Sequence, residues 1–420
     1  MKYDVILYGA GIKLPYVYSE LKNVYNIVCI ADKDERKQGL EIEMPDVIKL
    51  KVFSIEDSLN RFSLAKIWIT PAVPVKFEII TELTVMLGID KERILNYEAV
   101  TYRKGCQKIE NNLLVGQNLL SFCCETIEGR PQPTLWFDDD ISCEDLYKLF
   151  NEFKIRTVKR LNSPKPPKGC IDCRHIETRW WKNNDEKIVV ITFDEASGGV
   201  VCQFKCVYCT IRKNFIPENT AKAEKILAFL EYLKTSGKLD EQTAFILSLG
   251  EITVSPFRKR IFELVRNFRC DINTNSELYS KEIAEKLTDK RSRVQISLDS
   301  GTAETFKAIK GRDCFEKVCK NIQKYSKIGN VILKYIILPG LNDNEKDVKG
   351  FIKIAVKVGA EIALSRDFYD VKKFDENIET CIETAKLIIS SAEESKLKIT
   401  SWLNDVIPKS AFEERIKRLY

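Results

Sequence analysis

The sequence predicts an α/β protein, because two long stretches alternate short apolar strands with amphipathic helices. The first stretch covers residues 1–105 and the second begins at residue 187. Strands separated by helices in this way are typical of parallel sheets with crossover connections. Residues 106–186 carry six cysteines and the turn-forming run SPKPPKG. We therefore expect three regions: a doubly wound domain (1–105), a cysteine-containing connector (106–186) and a larger α/β domain (187–420).

Composition favours a soluble globular protein with room for two or three cores. Of the 420 residues, 44% are apolar and 30% are charged, and the net charge is +6 against 67 basic and 61 acidic residues. That balance favours neither a nucleic-acid partner nor a membrane surface. The sequence contains no apolar run of about 18 residues, so we expect no membrane span. The start MKYDVILYGAG predicts a strand and a glycine turn rather than a signal peptide, so we expect a cytoplasmic protein.

The numbers of cysteines and histidines limit the kinds of metal site and catalytic site that the chain can form. Fourteen cysteines without an export signal favour reduced thiols, some of them metal ligands, over disulfides. Because His175 is the single histidine, histidine-based zinc sites and Ser–His or Cys–His catalysis are restricted to its surroundings. The chemistry is therefore expected from a cofactor, thiols, carboxylates, lysine or tyrosine.

The first domain carries part of a dinucleotide-binding fingerprint. Its predicted strands are Tyr3–Leu7, Asn26–Ala31, Val52–Ser54, Lys66–Thr70 and Arg93–Leu95. Gly9 and Gly11 follow the first strand and Asp32 ends the second, but Leu14 stands where a third glycine belongs. The segment resembles the Rossmann-like domains of polysaccharide-biosynthesis proteins. The resemblance implies either nucleotide or nucleotide-sugar binding or a domain used for docking or dimerisation.

The second stretch predicts six strands with crossover helices, which together form a partial (β/α)6 barrel. The strands are Lys187–Phe193, Phe245–Leu249, Asp271–Thr274, Val294–Asp299, Val331–Leu338 and Glu361–Ser365, with Lys396–Trp402 as a seventh strand or a closing segment. Active sites of α/β barrels lie at the carboxyl ends of the strands. The loops after these strands are therefore the expected place for chemistry.

Cys202, Cys206 and Cys209 lie in the run CQFKCVYC, soon after the first of these strands. Iron–sulfur clusters are held by cysteine thiolates, normally four to a cubane. Three close cysteines without a fourth nearby would leave one iron open to another ligand. The alternatives are a structural zinc site or three unrelated buried thiols.

The spacing Cys-x3-Cys-x2-Cys, with Tyr208 before the last cysteine, resembles the signature of the radical S-adenosylmethionine (SAM) superfamily. The resemblance implies that a 4Fe–4S cluster binds SAM at its open iron and receives an electron from a flavodoxin- or ferredoxin-type donor. Cleavage of SAM then gives a 5′-deoxyadenosyl radical, which abstracts a hydrogen atom from the substrate. The cofactor carries this chemistry and the protein positions the substrate.

Later segments extend the resemblance to about residue 370. LSLGEITVSP resembles the family's Gly-Gly-Glu segment with Leu249 in place of the first glycine, and INTNS, VQISLDSG and VILKYIILPG match the following strands. Ser297 and Asp299 share a face by alternation, and Lys334 points either into the barrel or outward between helices. The residues implied to contact the cofactor are Tyr208, Gly250, Glu251, Asn275, Ser297, Asp299 and Lys334.

A second cysteine group precedes the barrel. Cys170 and Cys173 have metal-ligand spacing. With Cys124, and with Cys106 or Cys143 as a further ligand, they form a candidate auxiliary site for an iron–sulfur cluster or zinc. Buried thiols without a metal are the alternative.

The leading hypothesis is a radical SAM enzyme that acts on a carbohydrate, a nucleotide-sugar or a related small metabolite. Its reaction would be an epimerisation, a dehydrogenation or a rearrangement, and the substrate class depends on the first domain. The alternatives are a radical SAM enzyme that modifies a peptide and a non-catalytic metal scaffold.

Overall fold

The computed structural model describes residues 2–401 with the exception of 73–74, 98–99, 117–118, 124–131, 172, 183–186, 194–201, 210–219, 249 and 368–369. The chain is a mixed α/β protein. It divides into two compact units, one formed by Met1–Gly105 with Ile176–Asp185 and the other by Cys106–His175 with Glu186–Tyr420. The residues predicted as a connector, 106–186, are therefore divided between the two units.

The strands and α-helices are numbered here in chain order. The strands are β1 (Asp4–Tyr8), β2 (Asn26–Ala31), β3 (Glu41–Glu43), β4 (Lys49–Phe53), β5 (Lys66–Ile69), β6 (Val100–Gly105), β7 (Asn112–Val115), β8 (Leu119–Ser121), β9 (Leu135–Trp136), β10 (Glu177–Lys182), β11 (Ile188–Phe193), β12 (Leu239–Leu247), β13 (Arg269–Thr274), β14 (Arg293–Ser297), β15 (Asn330–Ile337), β16 (Glu361–Arg366) and β17 (Ile399–Ser401). The α-helices are α1 (Leu14–Leu21), α2 (Ile55–Arg61), α3 (Val75–Thr81), α4 (Gln107–Asn111), α5 (Cys143–Leu161), α6 (Thr220–Thr235), α7 (Arg258–Leu264), α8 (Lys281–Lys286), α9 (Ala303–Lys310), α10 (Phe315–Ser326), α11 (Glu345–Val358), α12 (Val371–Glu376) and α13 (Ile378–Glu394).

The first unit contains a five-stranded sheet in the order β3-β4-β2-β1-β5. Its strands are parallel except for β3, which the sequence patterns missed because it is a short antiparallel partner of β4. Alternate residues of β1 enter two separate apolar clusters, so the sheet is covered on both faces, as parallel sheets normally are. The predicted strand Arg93–Leu95 is wrong: a 3-10 turn occupies Lys91–Arg93, and Ile94 makes a single bridge to Ile67.

The second unit contains a ten-stranded sheet in the order β17-β16-β15-β14-β13-β12-β11-β7-β8-β9. The strands from β11 to β17 pair in parallel and in chain order. The predicted connector contributes β7, which pairs in parallel with β11. Its apolar residues Leu113, Leu114 and Val115 are buried, and this burial explains why the segment joins the sheet.

Crossover helices bring the carboxyl ends of β11 to β16 to one edge of this sheet. The cysteine run, with Tyr208, follows β11; Gly250, Glu251, Asn275, Ser297 and Asp299 lie at or after the ends of β12 to β14, and Lys334 lies within β15. The sheet therefore gathers these segments at a common edge. No helix in the described part of the chain is both long and apolar enough to cross a membrane.

Candidate active site

The cysteine loop, residues 202–209, holds three half-buried thiols. Cys202, Cys206 and Cys209 are all of intermediate exposure, whereas Cys270 and Cys381 lie in the core. A backbone hydrogen bond from Cys209 N to Cys206 O (3.1 Å) closes a tight turn between the last two thiols. The loop thus presents three thiols within eight residues, near solvent rather than inside the core.

The end of helix α9 anchors the cysteine loop. Lys205 N donates to Lys310 O and Val207 N donates to Ile309 O, both at 2.9 Å. Helix α9 is followed directly by Gly311, which has φ 67°, a left-handed conformation that favours glycine. A Cβ at this position would lie 3.1 Å from the Cβ of Lys205, so glycine also allows the loop and the helix end to approach closely.

A buried network anchors the same loop through Tyr208. Its hydroxyl donates to Asp299 Oδ2 at 2.6 Å and accepts from Lys310 Nζ at 2.6 Å, while Lys310 Nζ also binds Asp299 Oδ2. Asp299 Oδ1 accepts from the backbone N of Ile336 at 2.8 Å. Burial, followed by the charge of Asp299, raises the pKa of Tyr208 well above its usual value, so the hydroxyl stays protonated and donates.

Asp299 also shapes the backbone at the end of β14. It adopts φ 56°, a conformation that aspartate tolerates better than most residues. Its backbone N donates to Lys334 O at 3.1 Å and its backbone O accepts from Asn342 Nδ2 at 2.8 Å. The sequence placed Tyr208 and Asp299 in the cofactor pocket; in the structure their polar groups bind other groups of the chain, because Lys310 and Ile336 supply the partners.

Glu251 is enclosed in a similar way after β12. One carboxylate oxygen accepts from Thr253 N (3.0 Å), Thr253 Oγ1 (2.7 Å) and Thr274 Oγ1 (2.7 Å), and the other accepts from Asn275 N (2.6 Å). Burial raises the pKa of Glu251, and these donors oppose that shift. Its predicted contact with SAM thus competes with four existing hydrogen bonds. Gly250 precedes it and is half-buried; Leu249 lies outside the described residues.

Asn275 connects Glu251 to the cysteine loop. Its side-chain Nδ2 donates to Cys202 Sγ at 3.6 Å, and its Oδ1 accepts from Gln203 Nε2 at 3.3 Å. Groups that hydrogen-bond to the sulfur ligands of a metal centre orient those ligands and tune the metal. Asn275 is therefore well placed to support Cys202 as a ligand.

The three thiols fit a 4Fe–4S cluster because their sulfur atoms are suitable ligands and because Asn275 supports one of them, Cys202, with a hydrogen bond. Thiolates are the usual ligands of such clusters, and burial raises the pKa of Cys202 to about 11, so binding of iron must release its proton. In the part of the chain that the structure describes, no three Cys, His, Asp or Glu side chains converge as ligands of one metal ion would. The thiolates of a cubane each bind a different iron and do not need to converge.

A sequence model of the radical SAM superfamily matches residues 197–353. This segment belongs to the radical SAM superfamily. The match indicates an enzyme, and this family uses a 4Fe–4S cluster and SAM. The resemblance seen in the sequence is thereby confirmed for this segment, which we call the radical SAM domain.

Several curated relatives overlap this domain. A probable GTP 3′,8-cyclase of Pyrococcus abyssi is 30% identical over 42% of this chain and 62% of its own length. The GTP 3′,8-cyclase of Aliarcobacter butzleri is 32% identical over 35% of this chain and 46% of its own length. The matches thus span about half the length of these relatives. Among solved structures, Streptococcus suis SuiB bound to its precursor peptide SuiA aligns with 64% of this chain and 57% of its own, at 14% identity and a TM-score of 0.42.

Ser297 and Lys334 are neighbours in the radical SAM domain. They are register partners on β14 and β15, so their side chains lie on the same face, and both are half-buried. Burial lowers the pKa of Lys334, the nearby Lys310 lowers it further, and Asp299 and Asp367 oppose the shift. Because Asp299 and Lys310 anchor the cysteine loop, their proximity indicates that the Lys334 side chain faces this loop rather than the outer helices.

Two cavities differ in their relation to the thiols. One of about 240 Å³ adjoins the cysteine loop at Val207 and is lined by Leu338, Pro339 and the carboxylates of Asp367 and Asp370. A larger groove of about 840 Å³ lies at the amino ends of β13 to β16, with Arg293 and Glu361 in its lining. The smaller cavity is therefore the one that adjoins the cysteine loop.

The second cysteine group is partly assembled. Cys173 N donates to Cys170 O at 3.4 Å across a turn. Burial, followed by the nearby Cys173 and Cys106, raises the pKa of Cys170 to about 11. Cys106, which immediately precedes α4, is therefore near this pair. Cys124, the other predicted ligand, lies outside the described residues, and Cys143 begins α5.

Lys310 belongs to the network that anchors the cysteine loop, and sequence reasoning missed it. It stands in the last turn of α9 immediately before Gly311, and a lysine followed by glycine is an ordinary signal of a helix end. That pattern predicts an exposed side chain. In the structure the lysine is 1% exposed, and no local signal indicates this.

Proposed function

We propose that this radical SAM enzyme acts on a carbohydrate, a nucleotide-sugar or a related small metabolite, by epimerisation, dehydrogenation or rearrangement. The observation that carries the proposal is the position of three half-buried thiols at a sheet edge whose neighbouring strands carry Asn275, Ser297 and Lys334. These polar groups suit a hydrophilic substrate. The relatives named GTP 3′,8-cyclase support a small molecule that contains a nucleotide.

In this proposal, β11 to β16 and their helices form a partial barrel, and each side chain at its open edge has a role. When bound, the cluster and SAM supply hydrogen-atom abstraction from a C–H bond. Asn275 orients Cys202, and Tyr208 holds the loop through Asp299. Ser297 and Lys334 contact SAM or the substrate on the shared face. A flavodoxin- or ferredoxin-type protein supplies the electron.

We further propose that the first unit is a Rossmann-like domain that binds a nucleotide or a nucleotide-sugar. Gly9, with φ 118°, forms the turn after β1, and Asp32 Oδ2 accepts from Ala10 N at 2.6 Å. A cavity of about 530 Å³ near this turn includes Lys13 and Lys76 in its lining. Ammonium groups bind phosphate oxygens, and ligands of open α/β sheets bind beyond the carboxyl ends of the strands.

The chemistry is tested by an anaerobic assay of the reconstituted, reduced protein with SAM. Wild-type protein should bind about four irons per cluster and form 5′-deoxyadenosine, measured by liquid chromatography with mass spectrometry. Cys206→Ala should lose the cluster iron and this product, while Cys319→Ala, a half-buried thiol on α10, should retain both. A Cys206→Ala protein that keeps the iron and cleaves SAM would contradict the proposal.

The substrate class is tested by adding candidate substrates to the same assay. Sugars and nucleotide-sugars should accelerate 5′-deoxyadenosine formation by wild-type protein and yield a modified sugar. A pool of synthetic peptides serves as the comparison. Acceleration by peptides and not by sugars would favour the peptide-modifying alternative.

A further inference from the structure

The middle strands of the ten-stranded sheet have one apolar face and one polar face. On β13 and β14, Ile272, Val294 and Ile296 are fully buried, while Asn273 and Gln295 are half-buried. Strands of a parallel sheet that is covered on both faces normally read as continuous apolar runs. Polar, half-exposed side chains in the middle of such a sheet therefore indicate a face that contacts a ligand or solvent.

Hydrogen bonds connect three of these polar side chains into a row, which we call the amide row (Ser248, Asn273 and Gln295). Asn273 Nδ2 donates to Ser248 Oγ at 2.7 Å, and Gln295 Nε2 donates to Asn273 Oδ1 at 3.1 Å. Asn273 and Gln295 are register partners, so they lie side by side. These bonds fix the orientation of the Gln295 amide and direct its carbonyl oxygen away from Asn273. The oxygen is thus presented to a further donor.

The amide row lies on the same face as the site, one layer below the cysteine loop. Residues two apart on a strand share a face and are separated by about 7 Å. Asn275, two residues beyond Asn273, contacts Cys202 Sγ at 3.6 Å, and Ser297 lies two residues beyond Gln295. A ligand in contact with both Asn275 and the row would therefore reach from the cysteine loop to the middle of the sheet.

Of the charged residues described on this face, Lys334 lies one layer above the row, beside Ser297, whereas Asp271 and Arg293 lie one layer below it and are paired with each other. Two residues before the amide row, Arg293 makes a bidentate ion pair with Asp271, at 2.8 and 3.0 Å. The row itself offers neutral groups, and amides and hydroxyls both donate and accept hydrogen bonds. Sugar hydroxyls also donate and accept, whereas a buried charge would require an opposite charge. The chemistry of the row thus matches an uncharged polyol.

We propose that the amide row binds the substrate of the radical reaction, and that the part it binds is an uncharged, hydroxyl-bearing ring such as a sugar. The assignment rests on the proposed function and names the residues that select the substrate. Gln295 contacts the ring directly. Asn273 is a positioning residue that holds the Gln295 amide and receives its support from Ser248.

The test measures binding without turnover, so it is independent of the radical chemistry. Protein loaded with cluster and SAM, without reductant, is titrated calorimetrically with glucose, N-acetylglucosamine and their uridine diphosphate forms. Gln295→Met should weaken binding of the probe that wild type binds most tightly by about 3- to 10-fold, the usual cost of one hydrogen bond. The matched control is Gln242→Met, an exposed amide on β12, which should bind as wild type does.

A second variant keeps the test valid if Gln295→Met folds poorly. Asn273→Ser retains a hydroxyl but is too short to hold the Gln295 amide, and it should also weaken binding. Iron content and melting temperature report folding for each variant. Wild-type affinity in both variants, or no binding of any probe to loaded wild-type protein, would overturn the assignment. Failure of wild type to cleave SAM counts instead against the proposed function.

Discussion

Lys310 and Asp299 form an ion pair whose side chains are 1% and 0% exposed. The pair lies between the end of α9 and the end of β14, and both members bind the hydroxyl of Tyr208. Isolated charges are costly to bury, and a buried pair is stable only when further hydrogen bonds satisfy both groups. Tyr208 and the backbone N of Ile336 supply those bonds, which makes the cysteine loop part of the core network.

Replacing Lys310 should therefore destabilise the protein more than an ordinary surface change. Lys310→Met leaves the Asp299 carboxylate buried without its cation, at a cost of about 3–5 kcal/mol in the free energy of unfolding. Urea denaturation of the unloaded protein measures this loss. Asp299→Asn in the same chain should recover part of it, because the uncompensated charge is then removed.

The matched control for Lys310 is Lys307→Met on the same helix. Lys307 pairs with Asp313 at 3.0 Å, and both side chains are largely exposed, so its removal should cost less than about 1 kcal/mol. Equal stability of the two lysine variants would show that the buried pair does not hold the loop.

Asn275 should affect the chemistry more than the stability. Asn275→Ala removes the amide that contacts Cys202 Sγ, and loss of such a supporting group typically lowers activity about 10- to 100-fold. The rate of 5′-deoxyadenosine formation measures the effect, with iron content determined on the same samples. Asn330→Ala, an exposed amide on β15, should keep the wild-type rate. A wild-type rate in Asn275→Ala would remove its supporting role.

The second cysteine group predicts a second metal centre. With an auxiliary cluster, reconstituted wild-type protein should bind about eight irons, and Cys170→Ala/Cys173→Ala should bind about four. Cys314→Ala/Cys319→Ala is the matched double control and should leave the iron content unchanged. Metal analysis by mass spectrometry also detects zinc. Unchanged iron and zinc in the Cys170→Ala/Cys173→Ala variant would exclude the site.

Lys334 predicts a pH-dependent contribution to stability. Burial lowers its pKa in the folded state relative to an unfolded value of about 10.4. Between the folded and the unfolded pKa, the folded state therefore binds fewer protons than the unfolded state. The contribution of Lys334 to the free energy of unfolding is fully present above the unfolded pKa and is lost as pH falls through the folded pKa. Among the described residues, the charged groups near Lys334 include Asp299, Lys310 and Asp367.

Chemical denaturation across this range checks the sign. The free energy of unfolding of wild type should rise relative to Lys334→Met as pH increases toward the unfolded pKa of about 10.4. Lys353→Met, on the exposed side of α11, should follow wild type. A difference between wild type and Lys334→Met that does not change with pH would contradict the lowered pKa.

Several features follow from the sequence because they depend on local spacing. Three cysteines within eight residues lie in one short segment of the chain, and apolar periodicity placed β2 at Asn26–Ala31 as the structure has it. The pattern failed for Arg93–Leu95 and for β3, where short segments depend on their partners rather than on their own periodicity. It also missed that β7 of the predicted connector joins the main sheet.

Local spacing is enough to recognise the radical SAM domain, because the three cysteines and the strands that follow them are close together in the chain. Long-range packing sets which polar groups support the cysteine loop. Tyr208 binds Lys310 across 102 residues of chain and Asp299 across 91, and Asn275 reaches Cys202 across 73. Such partners cannot be read from local patterns, because a buried polar side chain is satisfied by whichever group the fold brings beside it.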